Sequence, residues 1–284
     1  MSSVNQSLRE SEKPVVNEAV DRWALPDFKE VWRYRHLLVE MVIADLKARY
    51  KQTIMGLCWA VAAPLISMVV FTFVFGRLAN VPSYGIPYPI FAFAALVPWT
   101  LFSKALASSS VSIVGGRNVV GKIYLPRILL PFSKSLIGVI DFFVALLILI
   151  LMMALMGFGV DWRVITLPFF ILLALITALG IGMILCSIHV HIRDVSQILP
   201  FAVQILLFLS PVAYPSKLID PPWDLLYKLN PMATVCNGFR WALLGIDGIL
   251  SPAGVLISTL AAVLLFVTGL VVFQRMQSRF PDYL

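Results

Sequence analysis

Residues 57–76, LCWAVAAPLISMVVFTFVFG, form an apolar run without a charged side chain between Lys51 and Arg77. A helix of about 20 residues, rising about 1.5 Å per residue, matches a hydrocarbon layer about 30 Å thick. The whole chain agrees with this stretch: 60% of its 284 residues are hydrophobic, only 13% are charged, and its mean hydropathy is +0.91. Average soluble domains carry about 45–50% apolar and about 25% charged residues. We therefore predict an all-α integral membrane protein and exclude a disordered chain, a coiled coil and a secreted disulfide scaffold.

Further apolar runs of similar character follow along the chain. The predicted transmembrane helices cover residues 57–76, 88–108, 136–156, 164–188, 197–212 and 252–273. They form a six-helix domain over residues 56–275, preceded by a polar tail (1–26) and a segment before the first span (27–55), and followed by a short tail (276–284). Six spans place both termini on one side. Most of the 22 Lys and Arg residues then lie on that side, so the positive-inside rule predicts cytoplasmic termini.

Two segments outside the spans are also predicted to be helical. In residues 27–55, apolar side chains recur every three or four positions after Asp27 and Glu30, which resemble a helix cap with its partner. This predicts an amphipathic interfacial helix, serving either as a membrane anchor or as a docking surface for a partner. Residues 214–250 are too polar to span the membrane but rich in aromatic residues. They predict an outer re-entrant hairpin of two short helices around Asn230 and Pro231.

One motif resembles a nucleotide site without the residues that such a site needs. Residues 116–122, GRNVVGK, match the start of a P-loop, but Ile123 stands where Ser or Thr would hold magnesium. A membrane span precedes the motif, where a working P-loop has a strand. We therefore predict no ATPase site on this chain.

Catalytic and metal sites are not indicated either. Asp141 is the only acid within the predicted spans, and a structural or gating role is favoured over a catalytic one, with Lys104 or Lys134 as a partner that lowers the cost of its burial. His189 and His191 lack a second set of metal ligands, and the three cysteines lie far apart. A membrane-embedded glycosyl or acyl transferase using these groups and Asp194 stays an alternative, as does a secondary carrier.

Several motifs together resemble a known family. Residues 45–76, DLKARYKQTIMGLCWAVAAPLISMVVFTFVFG, resemble the opening of ABC-2-type permeases that export O-antigen, capsular polysaccharide or teichoic acid. The matching positions are Asp45, Arg49, Tyr50, Gly56, Trp59, Pro64 and Leu65. Residues 116–131 are similar to the family's loop between spans two and three, with Asn118, Lys122, Pro126 and Arg127 matching and Val119, Val120, Gly121 and Ile128 departing. Residues 192–194 and 230–245 resemble further family segments, so the likeness runs from about residue 28 to residue 273.

The resemblance implies a homodimer in the bacterial inner membrane, with two copies of a separate ATPase subunit that bind ATP and Mg. This chain would carry no cofactor of its own and bind no nucleic acid. The segment before the first span and a cytoplasmic coupling loop, residues 112–131, would contact the ATPase. The implied coupling residues are Asp45, Arg49, Tyr50, Arg117, Asn118, Lys122, Tyr124, Pro126, Arg127, Arg193 and Asp194. For the basic residues of the loop, plain topology-setting charge is the alternative.

The implied cargo is a lipid-linked polysaccharide crossing the lipid bilayer. Candidate channel or gating residues are Trp59, Pro64, Phe71, Tyr88, Trp99, Asp141, Asn230, Pro231 and Arg240. Aromatic side chains can stack on sugars, but in membrane spans they also pack against lipid and anchor the interface. The same architecture moving a small amphiphile, such as a drug, a lipid or a lipo-oligosaccharide, is therefore the main alternative.

Overall fold

The computed structural model describes residues 32–51, 56–116, 126–159, 161–219, 223–277 and 280. The α-helices in this part of the chain are α1 (Arg35–Lys51), α2 (Gly56–Phe71), α3 (Tyr88–Ser110), α4 (Ser112–Gly115), α5 (Leu129–Leu136), α6 (Gly138–Leu155), α7 (Leu167–His191), α8 (Val195–Leu209), α9 (Trp223–Leu229), α10 (Pro231–Leu244) and α11 (Pro252–Met276). A π-helical turn, Thr72–Leu78, continues α2, and 3-10 turns cover Trp162–Thr166 and Ser216–Leu218. These described ranges contain no strand, as predicted for an all-α protein.

Within the described ranges, five helical segments are long and apolar enough to cross a membrane. They are Cys58–Leu78, Tyr88–Ser110, Leu129–Leu155, Trp162–His191 and Pro252–Met276. The fifth predicted span corresponds to α8, which has 15 residues and is therefore only about 22 Å long. It ends at Leu209 because Ser210 is extended, the conformation favoured before a proline such as Pro211. Six full-length spans are thus not confirmed.

The helical segment that contains the predicted third span begins before that span does. Helix α5 starts at Leu129, inside the predicted 112–131 loop, and only a one-residue step at Ile137 separates it from α6. Together the two helices form one apolar segment of 27 residues, Leu129–Leu155, whereas the predicted span begins at residue 136. The other described part of the loop contains α4, and residues 117–125 lie outside the described ranges.

Helix α3 forms the centre of the bundle. Its residues from Ile90 to Val97 are at most 3% exposed, as expected for a helix that is apolar on all sides. It packs against α2, α6, α7 and α10.

Helices α7 and α11 form the most extensive helix pair, and they approach closely at two glycines. A Cβ atom on Gly180 would lie 2.7 Å from the Leu265 carbonyl, and one on Gly269 would overlap Gly180. Small residues at such crossings let membrane helices approach until their backbones touch.

A second apolar cluster gathers both ends of the described chain at one end of the bundle. Tyr34, Leu37 and Met41 from α1 and its entry pack there with Phe273 of α11 and with Phe280. The opposite side of α1 is also apolar, since it exposes Val39 and Ile43, and Trp32 is exposed just before the helix begins. Apolar side chains therefore occupy two sides of Arg35–Lys51. The single apolar face predicted for residues 27–55 is not confirmed.

The segment between α8 and α11 contains two short helices, α9 and α10, on either side of Asn230, as predicted. Asn230 caps α10 by accepting a hydrogen bond from the Met232 backbone N–H, and Pro231 takes the first helical position. The helix ends at Gly245, whose φ of 66° is the left-handed conformation that glycine adopts readily. We call residues 210–251 the connector. Its predicted re-entrant character is not confirmed.

Candidate functional site

An ion-pair network attaches α1 to the bundle. Asp141 on α6 is only 4% exposed, and its Oδ2 accepts a hydrogen bond from Lys104 Nζ at 2.6 Å and forms an ion pair with Arg49 Nη2 at 2.9 Å. Lys104 lies on α3, so one carboxylate joins three helices. The expected pairing of Asp141 with Lys104 is therefore present, and Arg49 adds a cation from outside the spans.

A second ion pair lies one helical turn earlier on α1. Lys134 of α5, the other lysine expected near Asp141, instead donates to Asp45 Oδ1 at 2.7 Å. Asp45 and Arg49 are four residues apart and therefore share one face of α1. The two pairs together fix both the position of α1 along the bundle and its rotation.

The other predicted coupling residues within the described ranges do not join the α1 ion pairs. Arg127 donates from Nη1 to the Gln277 carbonyl, which links the start of α5, next to Pro126, to the end of α11. Arg193 and Asp194 lie exposed in the turn between α7 and α8, and in the described part of the chain they take no part in the α1 ion pairs. Arg117, Asn118, Lys122 and Tyr124, and the side chain of Tyr50, lie outside the described residues.

Arg240, on α10, is buried at the end of the bundle opposite to the α1 ion pairs. Its side chain is 1% exposed, yet among the described residues no carboxylate pairs with it. It donates instead to backbone carbonyls: Nε to Phe91 at 3.1 Å, Nη1 to Pro211 at 2.6 Å and Nη2 to Val212 at 2.8 Å. The guanidinium carbon also lies 3.6 Å from the Phe91 ring centre, a cation–π contact.

Arg240 stays protonated although it is buried. Loss of water around the guanidinium lowers the pKa of Arg240 to about 10, so the group remains cationic at neutral pH. A buried cation of this kind needs strong acceptors, and here the carbonyl dipoles at the end of α8 supply them.

Two other predicted gating residues bind the same segment. Tyr88 donates from its hydroxyl to the Ala213 carbonyl at 2.6 Å, and Asn230 donates from Nδ2 to the Leu209 carbonyl at 3.2 Å and to Ser210 Oγ at 3.0 Å. Tyr88, Asn230 and Arg240 thus converge on residues 209–214, where α8 passes into the connector. The structure brings these three predicted residues together around one short stretch of backbone.

Beside this stretch lies an apolar cavity of about 600 Å³. Of the predicted channel residues, Trp99, Asn230 and Pro231 line it. The remaining lining residues are Phe102, Thr177, Ile181, Leu206, Leu209, Ser210, Tyr214, Ile219, Trp223, Tyr227, Leu229, Met232 and Leu265. Cavities of about 300–1,000 Å³ with apolar walls and a few polar groups are typical of small-molecule sites. Sequence reasoning did not single out Trp223 and Tyr227, although the aromatic content of residues 214–227 was a signal for them.

The remaining predicted channel residues lie elsewhere. Trp59 is 56% exposed on α2, Pro64 is buried within the same helix, and Phe71 stacks with Phe75 at 5.4 Å between ring centres. Asp141 belongs to the α1 network. Of the candidate polar groups for an enzyme, His189 is buried with no hydrogen bond to Nδ1 in the described chain, and His191 contacts the Ser187 carbonyl.

The helices of spanning length define a polytopic membrane protein. The ion pairs of Asp45 and Arg49 attach α1 to these helices at one end of the bundle. The chain belongs to the ABC-2 type transporter family, which it matches over residues 36–244. The family resemblance drawn from the sequence motifs is confirmed.

The relatives include permeases of polysaccharide export. The chain is 28% identical to the O-antigen export system permease protein RfbA of Myxococcus xanthus over 75% of this chain and 82% of that protein. It is 25% identical to RfbA of Klebsiella pneumoniae over 87% of this chain and 95% of that protein. The polysialic acid transport protein KpsM of Escherichia coli is 22% identical over 72% of this chain and 80% of its own length.

Proposed function

We propose that this chain is the membrane-spanning permease subunit of an ATP-driven exporter that moves a lipid-linked polysaccharide of O-antigen, capsule or teichoic-acid type across the bacterial inner membrane. The observation that carries the proposal is the likeness to O-antigen export permeases over nearly their whole length, 95% in the Klebsiella case. The family membership supports the transport role, and the names of the relatives support the cargo class.

In this proposal a separate ATPase, two copies per permease homodimer, binds ATP and Mg and drives the cycle, while this chain carries no cofactor. The ATPase contacts α1, residues 112–131 and the 193–194 turn. The ion pairs of Asp45 and Arg49 support this assignment, because they give α1 a direct link to α5 and α6. A displacement of α1 would therefore move Asp141 and, through it, Lys104 on α3.

Six crossings with cytoplasmic termini belong to the same proposal. It is supported by the cluster that contains Tyr34 near the start of the described chain and Phe280 near its end. Two chain ends at one end of a bundle require an even number of crossings, so α8 with the adjacent connector completes the sixth. The connector then lies at the outer face and acts as the gate, held by Tyr88, Asn230 and Arg240.

One observation favours a second cargo class. The apolar cavity lies within a single subunit and has the volume of a small-molecule site. Export of a small amphiphile by the same architecture is therefore the alternative to polysaccharide export.

Depletion of this protein in its host, followed by fractionation of the cell's glycans, separates the two. Polysaccharide export predicts polymer retained inside the cell on its lipid carrier and little polymer at the surface. Restoration by the wild-type chain is the control for indirect effects. Unchanged surface glycan after depletion would overturn the polysaccharide assignment and leave the amphiphile exporter.

A further inference from the structure

Helix α11 is attached at one end to elements that are proposed to contact the ATPase. The second apolar cluster, which we call the inner cluster, joins Phe273 of α11 and Phe280 to apolar side chains of α1. Phe280 is completely buried, and its ring centre lies 5.5 Å from that of Phe273. Arg127, close to the start of α5, donates to the carbonyl of Gln277, directly after α11. This inner end of α11 is therefore tied both to α1 and to the segment that enters α5.

The outer end of the same helix is attached to the connector by one buried hydroxyl group. Ser258 is completely buried in α11, and its Oγ donates to the Lys228 carbonyl of α9 at 2.7 Å. Because this donation uses the only hydroxyl hydrogen of Ser258, Thr234 of α10 must be the donor in its 2.6 Å hydrogen bond to Ser258 Oγ. Ser258 thus joins α11 to both short helices of the connector.

Between its two attachments α11 is one continuous helix. It has 25 residues and is about 37 Å long, and its single proline, Pro252, takes the first helical position, where proline does not kink a helix. The closest approach to α7 lies between the attachments, where the backbones of Gly180 and Gly269 meet. Rigid secondary elements of this kind carry coupling between sites about 20–40 Å apart.

The connector passes the link on to α8. Thr234 and Arg240 lie on the same helix, α10, which is continuous over 14 residues. Arg240 in turn donates to the carbonyls of Pro211 and Val212, just beyond the end of α8. A shift of α11 at Ser258 would therefore move α10 and, through Arg240, the backbone at which α8 enters the connector.

We propose that α11 transmits movement from the ATPase side of the permease to the connector, tilting as one body about its glycine contact with α7. Phe280 holds the inner end of this lever, and Ser258 is its outer joint. Both are positioning residues, which act through the helix that they hold. The inference rests on the proposed function, and it adds a route to the gate that is separate from the ion pairs of Asp45 and Arg49.

Hydrogen exchange of the purified full-length protein tests the transmission without export. Phe280→Ala leaves a space in the inner cluster and loosens the inner end of α11. Residues 227–240, at the other end of the helix, are expected to exchange about fivefold faster. Val190→Ala is the matched control, because Val190 belongs to the same cluster but lies at the end of α7. A connector that responds equally to both variants, or to neither, would overturn the proposal.

A double-variant cycle tests the joint at Ser258. Ser258→Ala removes the shared hydroxyl and is expected to speed exchange in residues 227–240 by itself. Thr259→Ala, whose hydroxyl bonds within α11 to the Val255 carbonyl, should leave that exchange unchanged. Adding Phe280→Ala to Ser258→Ala should have little further effect on the connector, because the joint is already broken. Additive effects of the two substitutions would show that the loosening reaches the connector by another route.

A covalent joint covers the case in which Phe280→Ala does not fold. Thr234→Cys and Ser258→Cys, in a variant without the native cysteines, place two thiols where the hydroxyls lie 2.6 Å apart. If α10 and α11 move together, the oxidised double variant should keep its export of surface glycan and the reduced one should lose it several-fold. Loss of export on oxidation would mean that the two helices separate during transport, against the proposal.

The outcomes for the lever and for the proposed function can be told apart. The exchange measurements need neither the ATPase nor a cargo, so a connector that ignores Phe280→Ala overturns the lever and leaves the transport function standing. Unchanged surface glycan after depletion of the protein overturns the polysaccharide assignment, whatever the exchange measurements show.

Discussion

Asp141 shows how one side chain holds several helices. Its carboxylate is buried among apolar residues and satisfied by two cations, Arg49 and Lys104, that remain 43% and 35% exposed. An acid at this depth is tolerated because both partners keep contact with water while they neutralise it. The residue therefore serves as the fixed point to which α1 is attached.

Replacing Asp141 with Asn is expected to lower the free energy of unfolding by about 2 kcal/mol, less than the loss for a fully buried pair because both cations are partly exposed. The variant removes the carboxylate charge that pairs with Arg49 and Lys104, and it therefore loosens α1. Thermal unfolding of the purified protein measures the loss of stability. Asp247→Asn is the matched control, since Asp247 pairs with Arg163 while 77% exposed. Equal melting of wild type and Asp141→Asn would show that the network does not stabilise the fold.

Arg240→Lys is expected to loosen the connector while keeping its charge. An ammonium group is a single point with three donors, and it cannot reach the separate carbonyls of Phe91 and Pro211 as the planar guanidinium does. We expect faster hydrogen exchange and faster proteolysis in residues 209–219 of this variant. The exposed Arg77→Lys should exchange as the wild type does. Unchanged exchange in both variants would mean that the connector does not depend on Arg240.

At the scale of elements, contact between α7 and α11 depends on the absence of side chains. Gly180→Ala is expected to destabilise the protein by about 1–3 kcal/mol, although alanine favours helix, because its Cβ would meet the Leu265 backbone at 2.7 Å and backbone cannot rotate away. Thermal unfolding tests this. Gly159→Ala, where a Cβ meets nothing within 4 Å, is the control. A stabilised Gly180→Ala variant would show that the two helices separate at no cost.

The attachment of α1 can be tested by exchanging charges. Asp45→Lys and Lys134→Asp each place like charges opposite one another, so each is expected to reduce export several-fold. The double variant restores an ion pair of reversed polarity and is expected to recover most of the export. Surface glycan is the readout under the proposed function. A double variant as defective as the single ones would show that the residues act separately.

Much of the element structure could be predicted from the sequence because its causes are local. A long apolar run specifies a membrane helix wherever it lies, and the Pro231 and Asn230 pair specifies the start of α10. The end of α8 is also locally encoded, because Pro211 follows it, although the apolar run itself continues to Val212. The sequence does not reveal that α1 is apolar on two sides. Apolar residues that recur every three or four positions are equally compatible with a single apolar face.

The candidate site was less predictable because its contacts are distant and involve backbone. The partners of Arg240 are carbonyls 149 and 29 residues away, and a carbonyl leaves no signature in a sequence. The Asp141–Lys104 pair was expected because few cations lie at that depth. The cavity could not be foreseen, since it arises where α3, α7, α8 and α11 fail to fill the space between them.

At the scale of the whole molecule, the number of crossings is open to direct measurement. Single cysteines at Arg33, Lys217 and Gln277, in a variant without the native cysteines, are expected to divide into two groups on labelling with a membrane-impermeant maleimide in intact spheroplasts. Six crossings predict that position 217 is labelled from outside and that positions 33 and 277 react only after the membrane is opened. Labelling of 33 and 277 from opposite sides would instead establish an odd number of crossings.

The binding of Arg240 to backbone carbonyls affects how the connector responds to acidic surroundings. A guanidinium bonded to backbone oxygens has no counter-ion to be neutralised as the medium acidifies, and it loses its own proton only near a pKa of about 10. The attachment of α1, by contrast, rests on ion pairs of the Asp45 and Asp141 carboxylates. In the proposed orientation, the attachment made through Arg240 and backbone carbonyls faces the side whose acidity the surroundings set.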